Sequence, residues 1–228
     1  MKRAIIDYFV IIFTVLISLT SFQATFEKSK HSNFEYNPDP KDTIRMWDGN
    51  NLNGFKFIVR DKSASKENLY KVENGEMIFP TNQVGYFYTP KNYSNFKLHA
   101  EWSWFNKEEN GNRGILLFIQ NPDTVWPECM QVNFKKDNAG DLIAMNGAEC
   151  KETTGKPKDT ALKLFPSNEK APGEWNSCDV IANGDSLMVY VNGKLQNKAT
   201  HLNYTSGRIG FQLEGKPIKF RNIYLEKF

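Results

Sequence analysis

The 228-residue chain carries 29 Lys and Arg against 26 Asp and Glu, a formal charge of +3. So even a balance excludes a protein that tracks nucleic-acid phosphates, which needs a concentrated basic face. A hydrophobic share of 40% beside 24% charged residues excludes wholesale disorder, and the length suffices for one core.

The chain opens with Lys2 and Arg3 ahead of an apolar run from Tyr8 to Leu19. That run is short for a membrane-spanning helix but fits the core of an export signal. Ser21 and Ala24 supply small residues for cleavage, so residues 1–24 are read as a signal peptide and the destination as periplasmic or extracellular. An uncleaved anchor is the alternative; otherwise the mature chain is expected to have no membrane span. Residues 25–43 are polar, include Pro38 and Pro40, and read as a flexible leader; residues 44–228 form the single predicted domain.

Within that domain the elements are short strands. Phe96 to Trp104 alternates Leu98, Ala100 and Trp102 on one face with Lys97, His99 and Glu101 on the other. Gly114 to Gln120 is continuously apolar, as in a sandwich core. Cys129 to Phe134 alternates again, and a turn over Asn138 to Asp141 leads into a returning strand from Leu142 to Cys150. Further strands are NSCDVIA, SLMVYVNG, GRIGFQLEG and IKFRNIYLEKF. Asn-Gly turns at Asn146, Asn183 and Asn192 supply the chemistry of tight hairpins. No stretch keeps a helical period, so the fold class predicted is all-β, one antiparallel sandwich or jelly roll with a concave face for a site.

The chain has three His, at 31, 99 and 201, and no HExxH, CxxC, GxGxxG or Walker-type spacing. Zinc-protease and nucleotide chemistry therefore have no support. The cysteines are Cys129, Cys150 and Cys178. A turn centred near Ala139 and Gly140 would set Cys129 opposite Cys150 and Asn133 opposite Asn146. Export would permit a Cys129–Cys150 disulfide; two buried thiols are the favoured alternative, because cross-strand geometry often strains the bond.

Several segments then carry a family resemblance: MWDGNNLNGFK near residue 46, GYFYTPKNYSNFKLHAEWSW, GNRGILLFIQNPDTVWPECMQVNFKKDNAGDL, APGEWNSCDVIANGDSLMVYVNGKLQNKAT and GRIGFQLEGKPIKFRNIYL. Their order and spacing resemble the 3-keto-disaccharide hydrolase domain family, over roughly residues 44 to 228. The resemblance implies a concanavalin A-like jelly roll. It also implies an exported carbohydrate-active protein of a bacterium, a glycosidase whose partner is a carbohydrate or glycoside. Two departures stand out. Gln131-x-Asn133 occupies the place where the family often has acid-x-Gln, and Asn112-Arg113-Gly114 replaces the usual Asn-Ser-Gly. Glu214 matches an acid frequent at its position.

A 3-ketone acidifies the neighbouring C2 proton, so cleavage can run by elimination of the C1 substituent and addition of water. That route needs a base, a donor for the leaving oxygen and polar groups, or a divalent metal, at the enolate. No cofactor is otherwise implied. An ordinary glycosidase needs two carboxyl groups. Glu214 and Gln131 are the candidate catalytic positions. Asn112, Arg113, Trp126, Asn133, Asn146, Gln212 and Glu101 are the candidate substrate contacts. For Glu101 an exposed cross-strand pairing with Lys97 or Arg221 is the favoured plain reading. The competing function is a non-catalytic sugar-binding module that has lost its acid.

Overall fold

Period-two alternation is what builds the two sheets. The computed structural model describes residues 43–80, 83–105 and 111–228; the expected signal peptide, and the expected leader up to Thr43, lie outside them. The strands are β1 (Thr43–Arg45), β2 (Lys56–Val59), β3 (Lys71–Glu73), β4 (Glu76–Phe79), β5 (Gly85–Tyr88), β6 (Phe96–Trp104), β7 (Gly114–Ile119) and β8 (Cys129–Asn133). They continue with β9 (Leu142–Met145), β10 (Thr160–Ala161), β11 (Asn176–Asn183), β12 (Ser186–Val191), β13 (Lys194–Ala199), β14 (Arg208–Gln212) and β15 (Ile218–Lys227). Helix among the described residues is one turn, α1 (Lys66–Leu69), and a 3-10 turn at Pro157–Asp159.

The first sheet runs β13-β12-β11-β6-β15-β4-β3, with β1 added against β15; the second runs β10-β9-β8-β7-β14-β5-β2. Every pairing is antiparallel, and most neighbours are distant in sequence. This is the antiparallel jelly-roll sandwich expected from the strand pattern. Apolar residues from the inner faces of both sheets, among them Leu98, Trp102, Ile115, Val132, Phe211 and Phe220, fill one core.

The outer faces differ in kind. On the first sheet, β6 turns Lys97, His99 and Glu101 outward, half-buried among ion pairs, as a solvated face should be. On the second sheet, the outward residues Tyr86, Tyr88, Leu116, Ile119 and Cys129 form a second buried apolar cluster. Gln131, Gln212 and Arg208 are buried on that same face. This explains why β7 is apolar throughout: it is buried on both sides.

The hairpin arithmetic is corrected by the register of β8 and β9. Cys129 pairs with Met145 and Gln131 with Ile143, while Asn133 pairs with Gly114 of β7 rather than with Asn146. The connection is a broad loop of two successive turns, with Asn138 N–H donating to Lys135 O and Asp141 N–H to Asn138 O. Asn133 N–H donates to Asp141 O across its mouth, so the hairpin centres on Asp137 rather than between Ala139 and Gly140. Asn146 and Gly147, both at positive φ, stop β9 at Met145 and carry Cys150 past the strand into the main core. Cys129 stays on the outer face, and all three cysteines are free and buried. Burial pushes the thiols of Cys129 and Cys178 well up from the ordinary range. Thiol titration should therefore find none reacting rapidly in the native protein and all three reacting in denaturant; a single thiol in denaturant would mean a bridge forms.

Candidate functional site

Four of the residues picked out in the sequence form one hydrogen-bonded chain at an end of the second sheet. Gln131 Nε2 donates to Gln212 Oε1 at 2.7 Å, and Gln212 Nε2 donates to Glu214 Oε2 at 3.0 Å. Asn112 Nδ2 donates to the same Glu214 oxygen at 2.8 Å. Strand register dictates this grouping. Gln212 of β14 lies across from Tyr86 of β5, and Gln131 of β8 projects on the same face two strands away, paired with Leu116 of β7. The glutamines meet diagonally over Gly114, where a Cβ would lie 3.1 Å from Gln131 Nε2. Gly114 leaves the gap the two glutamines close.

Glu214 follows the end of β14 and is half-buried. Its turn is fixed from below. Arg113, fully buried, donates from Nε to Lys216 O at 2.8 Å. Gly215 sits at φ 90°, and a Cβ there would lie 2.8 Å from Gly111 Cα, so the two loops approach backbone to backbone. Arg113 therefore positions the carboxylate without facing a substrate. The amides hold Oε2, and among the described residues nothing donates to Oε1, which leaves it open to accept a proton.

The remaining sequence candidates lie elsewhere. Asn133 shares the outer face with Gln131, but its Oδ1 accepts from Lys135 N–H and caps its own loop. Trp126 and Asn146 meet beyond the far end of β8, where Asn146 Nδ2 donates to Trp126 O at 2.7 Å. They line a cavity of about 460 Å³ with Glu128, whose Oε1 accepts from Tyr204 Oη at 2.6 Å. Strand rise puts this cavity more than about 10 Å from the Glu214 chain. Glu101 stands on the first sheet, on the other side of the sandwich, where Arg221 Nε donates to it at 2.6 Å and Asn222 at 2.7 Å. Burial alone would raise the Glu101 carboxyl, yet those two donors outweigh it and hold it below the usual range. Glu101 is thus a cross-strand ion pair and does not join the site. Among the described residues no three His, Cys, Asp or Glu side chains converge as metal ligands.

Sequence reasoning passed over four residues on the same outer face. Tyr88 Oη donates to Asp123 Oδ2 at 2.7 Å, and Arg208 Nη1 donates to Asp123 Oδ1 at 2.5 Å. The Arg208 guanidinium lies over the Tyr88 ring, 4.7 Å from its centroid. Tyr86, beside Gln212, is buried with no partner for its hydroxyl. Burial pushes the Tyr86 hydroxyl well up, and the Asp123 charge adds to it. Tyr86 therefore stays a neutral O–H donor, the kind of group a leaving oxygen or an enolate needs. The available signal was the alternation in GYFY, which aims both tyrosines to one face.

Asp123 gives a pH prediction. Burial pushes its carboxyl up, but Tyr88 and Arg208 together hold it below the usual range. A depressed folded value adds stability above the unfolded value of about 3.9, and that stability is lost as pH falls through the folded value. Asp123→Asn should cost of order 1 kcal/mol at pH 7, since the pair is edged by solvent, and almost nothing near pH 2. Urea melts at the two pH values check this.

The sequence profile of the 3-keto-alpha-glucoside-1,2-lyase-like domain matches residues 42–226. The chain belongs to this family. No curated protein matches it in sequence. Among solved structures, a provisionally assigned glycosyl hydrolase from Parabacteroides distasonis ATCC 8503 is similar at 20% identity, with a TM-score of 0.62 over 82% of this chain and 94% of that one. A β-glucanase from Bacillus licheniformis is similar at 13% identity, with a TM-score of 0.54 over 79% of this chain and 95% of that one. Carbohydrate-binding module CBM66 from Bacillus subtilis is similar at 12% identity, with a TM-score of 0.50 over 78% of this chain and 98% of that one. At these identities the likeness is one of fold, and it places this member of the lyase-like family among concanavalin A-like sandwiches.

Proposed function

We propose that this family member is an exported enzyme that cleaves the glycosidic bond of a 3-keto glycoside, with Glu214 as base. The observation that carries the reading is the state of Glu214: one oxygen is held by two amides, and among the described residues the other accepts no hydrogen bond and no second carboxylate joins the hydrogen-bonded chain. Paired-carboxylate hydrolysis needs two acids, whereas elimination beside a ketone needs one base. Glu214 takes the C2 proton, and the electron pair left at C2 becomes the enolate of the 3-ketone. That pair then forms the C1–C2 double bond and expels the oxygen on C1, which gains a proton from a neutral donor such as Tyr86. Water then adds its hydroxyl at C1 while Glu214 returns its proton to C2, and the second proton of the water restores the neutral donor, which releases the 3-keto sugar. Gln131, Gln212 and Asn112 do not titrate, so their part is to orient the carboxylate and the sugar.

The experiment is to incubate the purified protein with 4-nitrophenyl 3-keto-glucosides and with the parent glucosides. Release of nitrophenol from the keto sugars alone is the expected result; release from the parent glucosides alone overturns the keto assignment. The same single carboxylate, with Gln131 in place of an acid, favours a second reading, a sugar-binding module without turnover. Binding of either sugar with no release would establish that one. Export, proposed from residues 1–24, is tested by whether the protein made in a bacterium leaves the cytoplasm with a shortened N-terminus.

A further inference from the structure

A cavity of about 480 Å³ opens on the outer face of the first sheet, where β1 joins β15, away from the Glu214 chain. Thr43 pairs with Glu226 and Arg45 with Tyr224, so these four face outward while Ile44 and Leu225 turn to the core. A bulge between Arg221 and Tyr224, with Asn222 at φ 49°, brings Asn222 to the rim. Bulges of this kind redirect side chains beside binding sites.

Two features of the lining are unsatisfied. Glu226 is only 7% exposed, and its Oε2 has no hydrogen bond; among the described residues the cation paired with it is Lys97, whose Nζ stands 3.8 Å away, an ion pair without hydrogen-bond contact. Buried polar atoms are nearly always hydrogen-bonded, so an exception that borders a cavity points to a missing donor. Arg45 is exposed and pairs with no carboxylate among the described residues. The cavity thus offers an acceptor and a donor together, beside a half-buried Tyr224 ring held from behind by His99 at 4.7 Å.

We propose that this cavity is a second sugar site that takes one ring of a neutral oligosaccharide, its hydroxyls donating to Glu226 and accepting from Arg45. A hydroxyl serves as donor and acceptor at once, which this lining requires. An anionic ligand would meet the carboxylates of Glu226 and Asp48 beside Arg45, and an amine would compete with Lys97. The choice of sugar rests on the carbohydrate reading above. The two sheets stand about 10 Å apart, so a ring bound here does not touch Glu214.

The test uses the full-length protein and five probes, maltotriose, cellotriose, laminaritriose, mannotriose and galactotriose, with titration calorimetry. At least one is expected to bind. Arg45→Ala should weaken that binding tenfold or more, as should Glu226→Gln, while Glu214→Gln leaves it unchanged. Arg45 is exposed, so its variant reads the site even if Glu226→Gln folds poorly. No binding by any probe, or binding indifferent to Arg45→Ala, overturns the proposal, and so does binding lost in Glu214→Gln. Arg45→Ala should release nitrophenol from the small keto glucosides at the wild-type rate. Binding that needs Arg45 in a protein without turnover removes the enzyme reading and leaves the second site standing. Turnover without Arg45-dependent binding does the reverse.

Discussion

Glu214→Gln is expected to lower turnover of a 3-keto glucoside by about 10²–10⁴-fold, the usual contribution of a positioned general base. The melting temperature should barely move. Glutamine has the shape of glutamate, and its carbonyl oxygen can still accept from Asn112 Nδ2 and Gln212 Nε2, the two bonds that hold Oε2 now. What it lacks is any oxygen able to take a proton. The measurement pairs initial rates with a thermal melt. Full turnover in this variant would remove Glu214 as base and, with it, the elimination route through this chain. A large fall in melting temperature would mean that the charge itself ties the turn to Arg113 and Asn112. In that case the loss of rate would follow from a displaced loop rather than a missing base. An Arg113→Lys control separates the two, since Arg113 holds the turn through backbone carbonyls and leaves Glu214 chemically intact.

How far the sequence reveals this site depends on how local its causes are. Gln212 and Glu214 share strand parity and lie two residues apart, so their meeting follows from period two alone. Strands β6 and β11 alternate cleanly and stand where the pattern put them. The Cys129–Cys150 and Asn133–Asn146 pairings failed because register depends on the loop. The broad Phe134–Gly140 connection, closed by Asn133 N–H to Asp141 O and Gly140 N–H to Asn133 O, is invisible to a count centred on one turn. Tyr88, Asp123 and Arg208 failed for a different reason. Tyr88 and Asp123 are 35 residues apart and Arg208 and Asp123 are 85 apart, joined only once β5 and β14 pair. Glu101 was legible, and its pairing with Arg221 followed the plainer of the two readings. The second buried cluster was masked by its own composition: an apolar run such as β7 reads the same whether its outer face meets solvent or a covered groove.

Phe87→Ala should be the most damaging single truncation of the fold. Phe87 is fully buried on β5, directly opposite Phe211 on one neighbouring strand and Phe57 on the other. Its ring stacks on Phe211 at 5.1 Å and on Phe79 at 4.7 Å, meets Phe55 edge-on at 5.4 Å and reaches Phe220 at 6.2 Å. Phe79 and Phe220 belong to the first sheet, so this one side chain joins both layers. Removing it forfeits the transfer energy of a phenyl ring and leaves a cavity walled by stiff rings that cannot easily collapse, about 3–5 kcal/mol in all. In a domain of this size each kcal/mol moves the midpoint by about 2–4 °C, so the melting temperature should fall by about 6–20 °C. Phe87→Leu keeps most of the volume and should cost well under half as much. The secondary structure should survive in both, because β5 keeps its backbone pairing with β2 and β14 and its outward tyrosines keep their packing against Leu116. Far-ultraviolet circular dichroism below the transition, together with the melt, checks both halves. A loss under about 1 kcal/mol in Phe87→Ala would show that the aromatic cluster closes over the gap, and that the two layers are held together chiefly at the Trp102–Phe134 stack, 4.1 Å between centroids.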